Sequence, residues 1–154
     1  MKKLFVIVLL IASFAATAQG AKMQQALAAA KAEHKLVLLT FSGSDWCIPC
    51  IRMEKEVFEK EDFTQYANDH LVLVQADFPR LKKHQLAAAL KKENEELAEK
   101  YNARGAFPFT VLLDADGHVI KAWEGMVAAS SGQFIQQIEA TQHAHWYSGK
   151  TNGL

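Results

Sequence analysis

The chain has 154 residues, half of them apolar and 22% charged, with 17 basic residues against 17 acidic. That composition suits a single globular domain with a full hydrophobic core. A formal net charge of zero gives no ground for a nucleic-acid binder or an anionic-membrane binder.

The first segment differs from the rest. Lys2 and Lys3 precede an unbroken apolar run from Leu4 to Ala12, and small residues follow, ending Ala16-Thr17-Ala18. A charged start, a short apolar centre and an A-x-A exit predict a secretory signal peptide over residues 1–18, with the mature domain at 19–154. The run is short against the roughly 20 apolar residues of a membrane span. No cysteine lies near the cleavage site, which argues against a lipid anchor. The alternative is an uncleaved anchor helix. Cleavage removes Lys2 and Lys3 and no acid, leaving 15 basic residues against 17 acidic. Export places the cysteines where disulfides persist.

Ala21 to His34 is Ala-rich, with Met23, Leu27 and Ala30 on one side, and predicts an amphipathic helix. Leu36–Phe41 (LVLLTF) is a continuous apolar run, as in a strand buried on both faces. Ser42 to Asp45 reads as a turn. Cys47 then opens a second helix, with Pro49 in the first turn, where a missing N–H costs nothing, and Met53, Val57 and Phe58 facing inward. Leu71–Ala76 (LVLVQA) predicts a second buried strand. A charged helical stretch runs from about Leu81 to Tyr101, marked by Leu86, Leu90 and Leu97. After a loop with Gly105, strands at Phe109–Leu113 and Val119–Trp123 flank a hairpin turn at Asp114-Ala115-Asp116-Gly117. A last helix is predicted over Ser131–Gln142, with Phe134, Ile135 and Ile138 inward. The tail from His143 shows no periodicity. Strands separated by helices predict a parallel pair, and the hairpin adds antiparallel strands to the same sheet, with helices on both faces.

Trp46-Cys47-Ile48-Pro49-Cys50 carries the chemistry. Cys47 and Cys50 are the only cysteines of the chain. A bridge closing so short a loop removes only roughly 2 kcal/mol of unfolded-state freedom, against roughly 4–5 for a loop of about a hundred residues. The pair therefore reads as a disulfide that opens and closes rather than as a staple. The thiolate is the nucleophile in disulfide exchange. A helix N-terminus presents unpaired N–H groups and the positive end of the dipole, which favour the anion. Cys47 is expected to be the exposed attacking thiol, and Cys50, one turn inside, the shielded resolving thiol. Glu54 lies four residues after Cys50 on the same helix face. It reads either as a proton relay for Cys50 or as a solvated surface carboxylate. Asp45 reads as a turn former, with tuning of Cys47 as the alternative.

This arrangement, with Trp-Cys-x-x-Cys after the first buried strand and Phe107-Pro108 just before the hairpin, resembles the thioredoxin superfamily over nearly the whole mature chain. It is most similar to the C-terminal periplasmic domain of the transmembrane thiol–disulfide interchange proteins, on the segment FSGSDWCIPC, on Glu54 and on AFPFTVLLDADG. The resemblance implies an α/β thioredoxin-like fold with a central mixed four-stranded sheet and helices on both faces. It implies a cis Phe107–Pro108 bond facing the cysteines, Phe107 presenting backbone to an extended substrate, and Trp46 shaping the docking surface. Two departures stand out. Thr40 holds the place where relatives often carry a buried acid, so proton transfer needs another group. The dipeptide between the cysteines is Ile-Pro, where thioredoxin typically has Gly-Pro.

The function expected is exported thiol–disulfide exchange, reducing or isomerising protein disulfides, with no bound cofactor and a membrane-embedded thiol reductant as redox partner. A disulfide-donating oxidase and a non-catalytic binding module are the alternatives. Metal is not expected. A structural zinc site wants four protein ligands, and His143 and His145 stand in the unpatterned tail. His34, His70, His84 and His118 read as surface residues. Lys91–Lys100 reads as a solvated helix face, and Arg80–His84 as plain basic surface rather than a dock for an acidic partner.

Overall fold

A computed structural model describes residues 21–151. The expected signal peptide lies outside the described residues. The elements run α1 (Ala21–Glu33), β1 (Leu36–Ser42), α2 (Ile48–Met53), α3 (Glu61–His70), β2 (Leu71–Asp77), α4 (Ala88–Tyr101), β3 (Phe109–Leu113), β4 (Val119–Glu124) and α5 (Ser131–Thr151). The four strands form one sheet in the order β2-β1-β3-β4. β1 pairs parallel with β2, in register from Leu36↔Leu71 to Ser42↔Asp77. It pairs antiparallel with β3, and β3 with β4. The mixed four-stranded sheet expected from the sequence is present.

The two faces of the sheet follow from the strand period of two. Val37, Leu39 and Phe41 of β1 point to one face with Val111 and Leu113 of β3. There they meet Met23, Ala26 and Ala30 of α1 and Leu97 of α4. Leu38 and Leu112 point to the other face. They meet Met53 of α2, Phe63 and Ala67 of α3, and Phe134 and Ile138 of α5. β1 lies between two neighbours and two cores, which explains its unbroken apolar run. The chain reverses from β3 to β4 through the expected turn. Asp114 Oδ1 accepts the N–H groups of Asp116 and His118, both at 2.9 Å, and Gly117 takes the positive φ of 84° that suits a residue without Cβ.

Four expectations are corrected. β2 is an edge strand, and it is only half-buried: Leu73 is 56% exposed and Gln75 faces solvent. The apolar run of β2 resembled that of β1, but its outer edge has no strand beside it. Side chains cover part of that edge instead. Lys22 Nζ donates to Gln75 O, and Asn94 Nδ2 donates to Asp77 O at 2.9 Å.

Next, the helical stretch from Leu81 is broken. Lys82–His84 is a single 3₁₀ turn, and α4 begins only at Ala88. The reason is local. Asp45 accepts the N–H groups of Arg80 and Leu81, both at 2.9 Å, and so holds the segment in a loop. Leu86 is half-buried and Leu90 exposed, leaving Leu97 as the buried mark of α4. Third, the second helix of the expected pattern is two helices. α2 passes into a π-helical turn at Glu54–Phe58, and α3 follows as a separate helix. Last, α5 continues through the tail to Thr151, well beyond Gln142.

Phe134 is the keystone of the second core. It is fully buried, with ring centroids 5.2 Å from Trp123, 5.8 Å from Phe63 and 6.0 Å from Phe58. Truncation of Phe134 to alanine is expected to cost about 3–5 kcal/mol, read as a lower urea midpoint with an unchanged slope. A loss below about 1 kcal/mol, the size of an average substitution, would contradict this packing.

Candidate active site

The site forms where β1 ends. Gly43 O accepts the N–H of Trp46 at 3.2 Å and of Cys47 at 2.9 Å, closing a tight turn. A Cβ at Gly43 would stand 2.3 Å from the Trp46 ring, so only glycine fits there. Cys47 is the N-cap of α2, in an extended backbone conformation, and its Sγ accepts the Cys50 N–H at 3.3 Å. Pro49 lies in the first turn of α2, as expected. Cys47 and Cys50 are joined as a disulfide. Cys50 is 2% exposed, but Cys47 is only 5% exposed, so the broadly exposed thiol expected at Cys47 is corrected. Its sulfur folds back over the first turn of α2, and the exposed side chain beside it is Ile48, at 73%.

Two carboxylates brace this turn. Asp77, at the end of β2, accepts the Ser44 N–H at 2.9 Å and the Ser44 hydroxyl at 2.6 Å. Asp45 binds Arg80 N–H, Leu81 N–H and, at 3.1 Å, His84 Nδ1. The Arg80 N–H above all holds the Asp45 carboxyl below its usual value, with further help from Leu81 and His84. Asp45 is thus a loop clamp, in line with a turn former and not with direct contact to Cys47. His84 is exposed, as expected of a surface residue, and adds a hydrogen bond to that clamp.

Trp46 is fixed on three sides. Its Nε1 donates to Phe78 O at 2.7 Å, its ring meets the Phe107 ring edge-on at 5.4 Å, and the Arg80 guanidinium lies 3.7 Å over it. Phe107 also meets Phe78 edge-on at 5.5 Å. The Phe107–Pro108 peptide bond is cis, and Pro108 O accepts the Gly125 N–H at 2.9 Å. Sheet pairing of this strand begins only at Phe109, so the Phe107 backbone lies outside the ladder. The loop before it is braced by Asn102, 5% exposed, whose side chain donates to Ala106 O at 2.9 Å and accepts Ala106 N–H at 3.0 Å.

Beneath the disulfide, Cys50 and Glu54 line one small cavity of about 140 Å³, with Ser42 and Gln75. Glu54 also lines a neighbouring cavity of about 260 Å³, together with Thr40. Burial, and secondarily the charge of Glu59, raises the Glu54 carboxyl above its usual 4.5. Glu54 is therefore not a plain solvated carboxylate. Thr110, the cross-strand partner of Thr40, carries a fully buried hydroxyl without a hydrogen-bond partner among the described residues. Among those residues no group of three or more His, Cys, Asp or Glu side chains is placed to hold a metal ion.

The structure brings Trp46, Cys47, Cys50, Phe107 and Pro108 to one end of the sheet, with Glu54 below. The sequence reading missed Phe78, Asp77 and Asn102, and it took Arg80 only as part of a basic surface run. Arg80, Phe78 and Asn102 act through a ring stack, a backbone carbonyl and a loop brace, which no spacing rule marks. Asp77 did carry a faint signal: a polar residue directly after an apolar strand, level with the end of β1.

The thioredoxin-like domain family matches residues 23–142. The chain is 39% identical over 126 residues to the disulfide bond reductase DsbH of Chlamydia pneumoniae, covering 82% of this chain and 74% of the relative. It is 31% identical over 130 residues to the thiol:disulfide interchange protein DsbD 2 of Pseudomonas aeruginosa, covering 84% of this chain but only 20% of that longer protein. Among solved structures, a DsbH oxidoreductase aligns with a TM-score of 0.67 and 29% identity, over 75% of this chain and 78% of that one. The reduced C-terminal domain of Neisseria meningitidis DsbD aligns with a TM-score of 0.55 and 25% identity, over 80% and 97%. The shared sheet, the Cys-x-x-Cys turn at its end and a family match across most of the chain lead to one conclusion: this protein belongs to the thioredoxin-like domain family.

Proposed function

We propose that the chain is an exported thiol–disulfide oxidoreductase that reduces or isomerises protein disulfides, with Cys47 as nucleophile and Cys50 as resolving thiol. One observation carries the reading: Cys47 caps α2 while Cys50 sits one turn inside, its N–H directed at the Cys47 sulfur. The reductive direction is supported by the resemblance to a protein named as a disulfide bond reductase. Export rests on the signal-like segment 1–18, with 19–154 as the mature domain. No helix among the described residues is long and apolar enough to cross a membrane.

The reaction begins with both cysteines reduced. The Cys47 thiolate attacks one sulfur of a substrate disulfide. A Cys47–substrate disulfide forms, the substrate S–S bond breaks, and the departing thiolate takes up a proton. Cys50 then loses its proton and attacks Cys47 Sγ. The mixed disulfide breaks, the second substrate thiol leaves reduced, and Cys47–Cys50 closes. Two electrons have passed from the dithiol to the substrate, and a membrane-embedded thiol reductant restores them. Glu54 receives the Cys50 proton. It shares a cavity with Cys50, its burial raises its proton affinity, and Thr40 cannot do this work. Trp46 and Phe107 form the wall on which the substrate segment lies, and the free backbone of Phe107 before Pro108 pairs with that segment.

Two outcomes test this. Replacing Cys47 with serine is expected to abolish disulfide reduction, whereas Cys50→Ser is expected to accumulate a substrate-linked Cys47 adduct visible by intact mass. Unchanged turnover in Cys47→Ser would sink the mechanism. Glu54→Gln adds a pH test. A carboxyl whose folded value is raised destabilises the fold once it ionises, so the wild type loses stability relative to Gln as pH rises through 4.5 and the raised value. The oxidised Gln variant is expected to melt higher than wild type at pH 7, and the gap to close below about pH 4. The same variant should resolve mixed disulfides more slowly. A melting gap that is the same at both pH values would remove the argument for a buried relay.

A further inference from the structure

A groove of about 410 Å³ runs from the active-site turn into the loop between β2 and α4. Its walls include Trp46, Phe78, Arg80, Lys91, Gly105 and Phe107. Two of these, Trp46 and Phe107, are the residues beside which a substrate disulfide reacts, so the groove continues the site and does not stand apart from it. This inference rests on the function proposed above and names the substrate class of that site.

The charge of the groove is one-sided. The chain as a whole balances 17 basic residues against 17 acidic, yet residues 78–92 hold five basic residues and no acidic one: Arg80, Lys82, Lys83, Lys91 and Lys92. Of these, Arg80 and Lys91 line the groove; among the described residues Arg80, Lys82 and Lys83 form no ion pair, Lys91 has only the exposed Glu95 at 3.8 Å, and Lys92 pairs with Glu96 at 3.7 Å. The one carboxylate in the wall, Asp77, is already engaged by the Ser44 N–H and hydroxyl. Arg80 is also not a loose surface cation. Its backbone N–H is held by Asp45 and its guanidinium carbon lies 3.7 Å from the Trp46 ring centroid, while among the described residues its guanidinium N–H groups make no hydrogen bond and so are available to a carboxylate. A basic side chain fixed in this way loses less freedom on binding than a free one.

We propose that this groove selects substrates, taking an extended protein segment that carries acidic side chains next to its reacting cysteine. Arg80 and Lys91 meet the carboxylates while the disulfide lies against Trp46 and Phe107.

The test uses the reduced mature protein and three peptides, each carrying one cysteine disulfide-bonded to a small neutral thiol. The peptides differ only in the two residues flanking that cysteine: Glu, Gln or Lys. Second-order reduction rates are read by stopped-flow tryptophan fluorescence. The Glu peptide is expected to react about tenfold faster than the Gln peptide at low salt, the lower end of electrostatic acceleration. The ratio should fall toward one near 1 M salt, where screening acts over about 3 Å. It should also fall in Arg80→Gln and in Lys91→Gln, each compared within the same variant, and should persist in Lys121→Gln on the far edge strand. A ratio near one in the wild type, or a ratio that survives both substitutions, would overturn the groove while leaving the oxidoreductase reading intact. Failure to reduce any of the peptides would remove that reading and the groove with it.

Discussion

Asp77 and Asp45 hold the redox turn by exchanging partners across the ends of two parallel strands. Asp77 stands level with Ser42 in the β1–β2 register and reaches over to Ser44. Asp45 reaches the opposite way, to the backbone of Arg80 and Leu81. Each carboxylate engages at least two donors on the other loop, with His84 Nδ1 as a third partner for Asp45, and hydrogen bonds to charged acceptors are the stronger kind. Without this pair the backbone of Ser44 and Asp45 would lose its side-chain ties to the loop after β2, leaving the Trp46 contacts to hold the turn. With it, Trp46, Cys47 and the start of α2 are fixed relative to the loop that carries Arg80. A catalytic constellation is only as precise as the shell that supports it.

Much of the fold was legible in the sequence because its strands are short and strongly marked. LVLLTF at β1 is apolar at successive positions because both faces and both edges of that strand are covered. LVLVQA at β2 has almost the same composition but lies at the sheet edge with Leu73 exposed. Apolar composition reports burial of a face and is blind to which strand is central. The same blindness explains the segment from Leu81. Leu86 and Leu90 carry helical spacing, but only Leu90 falls in α4; Asp45, thirty-five residues before Arg80, accepts the Arg80 and Leu81 N–H groups and keeps the start of the segment in a loop. A long-range contact overrode a local preference, which is the usual reason a propensity argument fails.

The candidate site divides in the same way. Cys47, Cys50 and Pro49 were visible from spacing and helix-start chemistry alone. Phe107 and Pro108 needed the resemblance to a known family. Arg80 lay in plain view as part of a basic run, but its stack on Trp46 is a property of three dimensions. Glu54 was ambiguous between relay and surface; it lines the cavity that Cys50 also lines, and burial raises its carboxyl, which supports the relay proposed above. Thr40 and Glu54 bordering one cavity also gives a physical account of the missing strand acid. In the proposed mechanism Glu54, on the helical segment after Cys50, takes the place of that strand acid.

The central claim is that the dithiol gives electrons away. Equilibrating the protein in graded glutathione buffers, and quantifying the Cys47–Cys50 disulfide at each ratio, measures its reduction potential. A reductant is expected to lie toward the thioredoxin value of about −270 mV. A value near the roughly −120 mV of a strong disulfide donor would contradict the account and make the protein an oxidase.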